Sequence, residues 1–121
     1  MGLKLRCALS ECRGMTVAAP SPGVDAGDFG KIEDTVGVYF KNAETGDNVF
    51  FITEARAVVV TSVAAGTGKF AQGSKVYFDE ADAEINESST GNTLCGVVLE
   101  APALGSEEVL IMLDGTLGIV A

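Results

Sequence analysis

The chain is written in short apolar runs separated by Gly, Asp, Asn and Pro. Runs at 29–32, 36–40, 49–53, 57–63, 75–78, 93–100, 108–113 and 117–120 are rich in β-branched and aromatic residues and are bounded by turn formers, which is the pattern of β-strands. Several alternate with period two. Val36, Val38 and Phe40 share one face of their run, and Val109, Ile111 and Leu113 share one face of theirs, so each strand commits a face to a core. Val97 and Leu99 are further core candidates on the same reasoning. Val58, Val59 and Val60 are apolar without alternation, which suits a strand covered on both faces or a contact between subunits. Gly46, within 44–48, and Asp114-Gly115 supply turns that accept a positive φ, so both read as hairpins. Residues 79–86 contain helix formers but are too few and too acidic for a helix, and read as an exposed loop or single turn. The fold class predicted is all-β, a small antiparallel β-barrel or sandwich.

Ahead of these runs lies a segment of different character. Pro20 and Pro22 forbid a continuing helix and bias their predecessors to extended backbone, while Leu3, Leu5, Cys7 and Leu9 alternate. The prediction is an extended N-terminal arm over 1–16 joined to a single β domain over 17–121. Such an arm adds a strand to the sheet edge of a partner, and the domain keeps enough residues to fold without it. Leu3, Leu5, Cys7, Leu9, Val58, Val59 and Val60 are the candidate interface residues.

Charge and composition narrow the function. The 17 acidic against 8 basic residues leave a net charge of −9 with no visible basic patch, so no nucleic-acid partner is expected. The absence of His removes His-based triads, His proton shuttles and His-containing zinc sites. No run of about 18 apolar residues occurs, so no membrane-spanning helix is expected. Ser10, Glu11, Cys12 and Arg13 interrupt the N-terminal apolar residues, which argues against a secretory signal and for a reducing compartment. The three cysteines, Cys7, Cys12 and Cys95, contain no C-x-x-C pair and so make no metal site. Cys95, within Thr-Leu-Cys-Gly-Val-Val-Leu, reads as a small buried hydrophobe.

Two motifs invite chemistry and fail on spacing. Gly66-Thr67-Gly68-Lys69 resembles the end of a phosphate loop, yet Val63 stands where the first Gly belongs and Phe70 where Ser or Thr belongs. Asp79, Glu80, Asp82, Glu84 and Glu87 cluster as Ca²⁺ ligands would, but not in EF-hand order, and they read as a solvated acidic loop. No Ser-x-x-Lys pattern offers a nucleophile with a Lys base. No cofactor and no catalytic residue is therefore predicted. A Ca²⁺- or carbohydrate-binding adhesion module stays open as an alternative, and behind it a carboxylate-dependent hydrolase.

Three segments carry a family resemblance in their order and spacing: Gly73-Ser-Lys-Val-Tyr-Phe-Asp79, Thr90-Gly-Asn-Thr-Leu-Cys-Gly-Val-Val98 and Glu108-Val-Leu-Ile-Met-Leu113. With the opening around Ala19-Pro20, Val24 to Asp28 and Val36 to Phe40, they resemble the capsid decoration, or cement, proteins of tailed phages from about Val17 to Leu113. The resemblance implies a non-enzymatic virion protein. It would be made in the host cytoplasm, bind the major capsid protein on the outside of the mature head and stabilise the head against internal pressure. A homo-oligomer goes with that role, a trimer first and a dimer second, to match the symmetry positions of a shell. A recombinase role, with which such proteins have also been associated, has no phosphate loop to support it here. Gly73, Val76, Tyr77, Phe78, Asp79, Gly91, Asn92 and Gly96 carry the resemblance; individually they read as turn and strand residues of any β protein.

Overall fold

The computed structural model describes residues 4–60, 70–100 and 108–115. Among these residues there are nine strands and a single 3₁₀ turn: β1 (Lys4–Leu5), the turn Leu9–Glu11, β2 (Arg13–Ala18), β3 (Phe29–Ile32), β4 (Thr35–Tyr39), β5 (Asn48–Val60), β6 (Lys75–Asp79), β7 (Glu84–Asn86), β8 (Thr93–Glu100) and β9 (Val109–Asp114). All pair antiparallel in one sheet of order β3-β4-β5-β9-β8-β6-β7, with β1 and β2 added on β5. The chain is all-β, as predicted, and its sheet curls into a nearly closed barrel.

The 13-residue β5 is the spine. Phe51 pairs with Met15 and with Tyr39, Glu54 with Arg13 and with Asp114, and Val58 with Leu5 and with Ile111. One edge of β5 therefore carries β2 and then β1, while the other carries β4 and then β9. The sheet forks where β4 and β9 part, and Gly115 fills the fork. Its N–H donates to Thr53 O at 2.7 Å and its carbonyl accepts from Val36 N at 3.0 Å. A Cβ built at Gly115 would stand 1.5 Å from Val36 O, so only glycine allows the two branches to approach this closely. Beyond the fork, a bulge between Ala55 and Val58 bends β5.

The turns follow local chemistry. β3 and β4 are joined by Glu33-Asp34 alone, with Glu33 at φ 55°. Gly46 takes φ 88° in the connection from β4 to β5, as its turn position predicts. Gly115 follows β9, but residues 116–121, including the strand expected at 117–120, lie outside the described residues. The segment 79–86 is a hairpin rather than a loop: β6 and β7 pair Tyr77 with Asn86, Phe78 with Ile85 and Asp79 with Glu84. Ile85 is fully buried. A single apolar residue in an acidic stretch carries no period, so only its cross-strand partner Phe78 reveals the strand.

The main core gathers Val36, Val38, Ile52, Val58, Val60, Val76, Phe78, Ile85, Cys95, Val98, Val109, Ile111 and Leu113. Three core expectations need correction. Phe40 lies one residue beyond β4 and is exposed. Val97 and Leu99 are half-buried, while Cys95, Gly96 and Val98 are the buried residues of β8. The register runs from Val76↔Gly96 to Tyr77↔Leu94, leaving Cys95 as an extra residue. A further shift falls between Val98 and Glu100. One inserted residue reverses which side chains face inward, and alternation counted along the sequence misses it.

A smaller second cluster covers the opposite face of the sheet, with Ala19, Tyr39, Val49 and Phe51 buried and Val17, Val24, Ile32 and Ala43 against them. The Tyr39 and Phe51 rings lie with centroids 4.9 Å apart at 52°. Beneath them Gly30 pairs with Gly37. A Cβ at Gly37 would come within 2.6 Å of the Phe51 ring and 2.7 Å of Ile52 O. The paired glycines thus make the space that the rings occupy.

Candidate functional site

The N-terminal segment does not project from this sheet over residues 4–18; it forms a strap along one edge of β5. Its two strands pair with the distal and proximal halves of β5, and Arg6 N donates to Ala57 O at 2.9 Å between them. Leu5, Cys7 and Cys12 are half-buried against the main core. The connection between the strap strands is held twice over. Glu11 Oε1 accepts from Ala8 N at 3.1 Å, and Glu11 Oε2 accepts from Arg56 Nη1 at 2.7 Å. Arg56 is presented by the β5 bulge. The Arg56 hydrogen bond, then the Ala8 N–H, hold the Glu11 carboxyl below its usual range. Further along, Arg13 Nε approaches Glu54 Oε2 at 3.9 Å, and Thr53 Oγ1 donates to Arg13 O at 3.3 Å.

These placements sort the candidate interface residues. Leu3 lies outside the described residues, and for Leu9 only its place in the 3₁₀ turn is described. Leu5 and Cys7 alternate as expected, but toward the chain's own core. Val58 and Val60 are both at 0% exposure within the chain itself, so their side chains offer nothing to a partner. Val59, on the other face of β5, is half-buried. At this end the backbone of β5 is paired along both edges, with β1 on one and β9 on the other.

The exposed part of the strap is β2. Arg13, Gly14, Met15 and Thr16 are all exposed, and among the described residues β2 pairs with β5 alone. Its other edge therefore presents main-chain donors and acceptors, with Met15 beside them as one of the few exposed large hydrophobics. Sequence reasoning missed this edge because residues 13–16 show no hydrophobic period.

The motif residues come together around β6, β7 and β8, in strands and in the turns between them. Gly73, at φ 87°, turns the chain into β6 with its N–H on Val98 O at 2.8 Å. Val76 and Phe78 are buried and Tyr77 is half-buried. Asp79 Oδ1 accepts from Ala81 N at 3.1 Å and Asp82 N at 3.3 Å, closing the hairpin turn. Asn92 Nδ2 donates to Asn86 Oδ1 at 3.2 Å and Ser88 O at 2.9 Å, and Gly91 takes φ 71° beside it. A Cβ at Gly96 would meet Met112 O at 2.3 Å. Cys95 is fully buried, donates weakly to Val76 O at 3.6 Å, and has its thiol pushed up to about 12 by burial.

Two residues of the acidic cluster accept from the backbone. Glu87 Oε1 accepts from Phe70 N at 3.0 Å, and Asp79 serves its own turn. An open groove of about 520 Å³ near the second cluster is lined by Asp25, Asp28, Glu44 and Asp47. There too Asp28 Oδ2 accepts from Asp25 N at 2.9 Å, and Asn42 Oδ1 from Ala26 N at 2.7 Å. Among the described residues, no group of three or more His, Cys, Asp or Glu side chains is placed to hold a metal ion. The Gly66 to Lys69 motif lies outside the described residues. Among the described residues no helix is long and apolar enough to cross a membrane.

Compared with known proteins, neither a curated protein nor a solved structure matches the chain. Residues 10–113 match the family described as phage cement protein. The match begins at Ser10, not at Val17, so β2 and its exposed edge fall inside it. Because that match covers most of its length, the chain belongs to the phage cement protein family, structural proteins associated with the phage capsid.

Proposed function

We propose that this protein binds the major capsid protein on the outside of a mature phage head and stabilises the head against internal pressure. The family match over residues 10–113 is the observation that carries this reading. A ligand that binds only the expanded shell stabilises it by mass action, and many copies multiply a weak contact. The chain acts by binding and not by catalysis. The contact proposed is the open edge of β2, where an extended capsid segment adds as a further strand, with Arg13 and Met15 beside it. The protein is placed on the virion after synthesis in the host cytoplasm, as a homotrimer on a symmetry position or, failing that, as a dimer.

Co-sedimentation with expanded and unexpanded shells tests the reading. Saturable binding to expanded shells alone, with a higher bursting temperature for decorated particles, is expected. Equal binding to both shells, or unchanged heat resistance at full occupancy, would overturn it. Sedimentation velocity on the free protein decides between trimer and dimer.

A further inference from the structure

The strap holds two thiols whose proximity the fold itself enforces. Cys7 Sγ and Cys12 Sγ lie 3.8 Å apart, both half-buried and both free. They flank the 3₁₀ turn, one after β1 and the other before β2. Their spacing does not depend on any attraction between the sulfurs. Glu11 N donates to Ala8 O at 2.9 Å, Ala8 N to Glu11 Oε1, and Arg56 clamps the same carboxylate, so the turn between them is fixed from three directions. Cys95 is separated from this pair: it lies at 0% exposure within the main core. The odd cysteine count thus divides into one pair and one sequestered thiol.

We propose that Cys7 and Cys12 are a redox-responsive clasp, oxidised by a small-molecule disulfide such as oxidised glutathione to an intramolecular disulfide that ties β1 to β2. A thiolate of the pair attacks one sulfur of the small disulfide and expels a thiolate. The second thiolate of the pair then attacks the resulting mixed disulfide, forming the Cys7–Cys12 bond and expelling the other thiolate. Two thiols lose two electrons and two protons, and one disulfide becomes two thiols. The sulfurs must approach from 3.8 Å to about 2.05 Å, a movement a six-residue turn accommodates without unpairing β1 or β2.

The Cys12 thiol is pushed up to about 11, first by burial, then by its hydrogen bond to Cys7 and the charges of Cys7 and Glu11. It keeps its proton at neutral pH, so the step that uses its thiolate is slow. Slow exchange suits a bond absent during assembly in a reducing cell and formed afterwards outside it. That timing rests on the capsid reading above; the bond itself does not.

The experiment uses the full chain, incubated with oxidised glutathione, denatured and labelled with N-ethylmaleimide. Mass spectrometry should find one label, on Cys95, and a chain about 2 Da lighter than expected from that label, with Cys7 and Cys12 in one cross-linked peptide. Cys95→Ser should form the same bond, whereas Cys7→Ser and Cys12→Ser should not form it. Proteolysis within residues 1–18 should slow about tenfold on oxidation, because opening of the strap is now constrained. Three labels, a persistent glutathione adduct on the unsubstituted chain, or unchanged proteolysis of the oxidised form would each overturn the clasp. Because no shell is present, failure here leaves the capsid reading untouched, and failure of shell binding leaves this result standing.

Discussion

The two faces of β5 are buried in different ways. On the inner face, Ile52, Val58 and Val60 join aliphatic side chains from β4, β6, β7, β8 and β9. On the outer face, Val49 and Phe51 meet Tyr39 and Ala19, with only partly covered neighbours around them. The inner core is enclosed by the sheet itself. The outer one is roofed by chain that has little regular structure, the stretch from Val17 to Val24 and the turn at Ala43. Regular strands supply burial from alternation alone, whereas the outer cluster needs a glycine pair beneath and a correctly laid strap beside it.

The strongest test removes the strap. Deleting residues 1–16 strips β1 and most of β2, exposes an edge of β5 and uncovers the contacts of Leu5, Cys7 and Cys12. The domain is expected to lose about 4 kcal/mol or more, read by urea denaturation. An unchanged midpoint would restore the picture of a dispensable arm. Next comes the inner fork: Gly115→Ala drives a methyl group into Val36 O and should cost about 3 kcal/mol, since backbone on both sides must give. The outer equivalent, Gly37→Ala, meets the Phe51 ring as well as Ile52 O. It should cost about 2 kcal/mol, with most of the loss appearing as faster hydrogen exchange in β2. Equal costs with equal exchange across the sheet would erase the distinction between the two cores.

A smaller effect of opposite sign is expected at the β3–β4 turn. Glu33→Gly relieves a left-handed backbone at φ 55° and should stabilise by about 0.5–1 kcal/mol. The smallest effect concerns Glu11, whose pair with Arg56 is exposed. Its carboxyl is lowered in the folded state, so its contribution is present above the unfolded pKa and is lost as pH falls through the folded one. The protection factor of the Arg6 N–H, which is bonded to Ala57 O, should fall in that acidic window, and Glu11→Gln should abolish that fall.

Much of this architecture is legible from residue order. Alternation at Val36 and Val38, and at Val109, Ile111 and Leu113, marks inward faces because a strand's side chains have a fixed period of two. Gly46 and Gly73 mark turns because their positive φ excludes most other residues. The order of the motifs across β6, β8 and β9 resembles the cement proteins, and the family match agrees with it. Other features depend on which strands meet. The bulge at Cys95 moves burial from Val97 to Val98, since one extra residue opposite β6 reverses the phase. Ile85 becomes a core residue only through Phe78 across the hairpin. Gly30 and Gly37 look like weak points in their strands until pairing sets them side by side beneath two rings. The strap shows the same division: alternation at Leu5 and Cys7 identified a strand in search of an edge. That the edge belongs to the chain's own β5 was decided by tertiary structure alone, because backbone hydrogen bonds carry no label for the strand they will join.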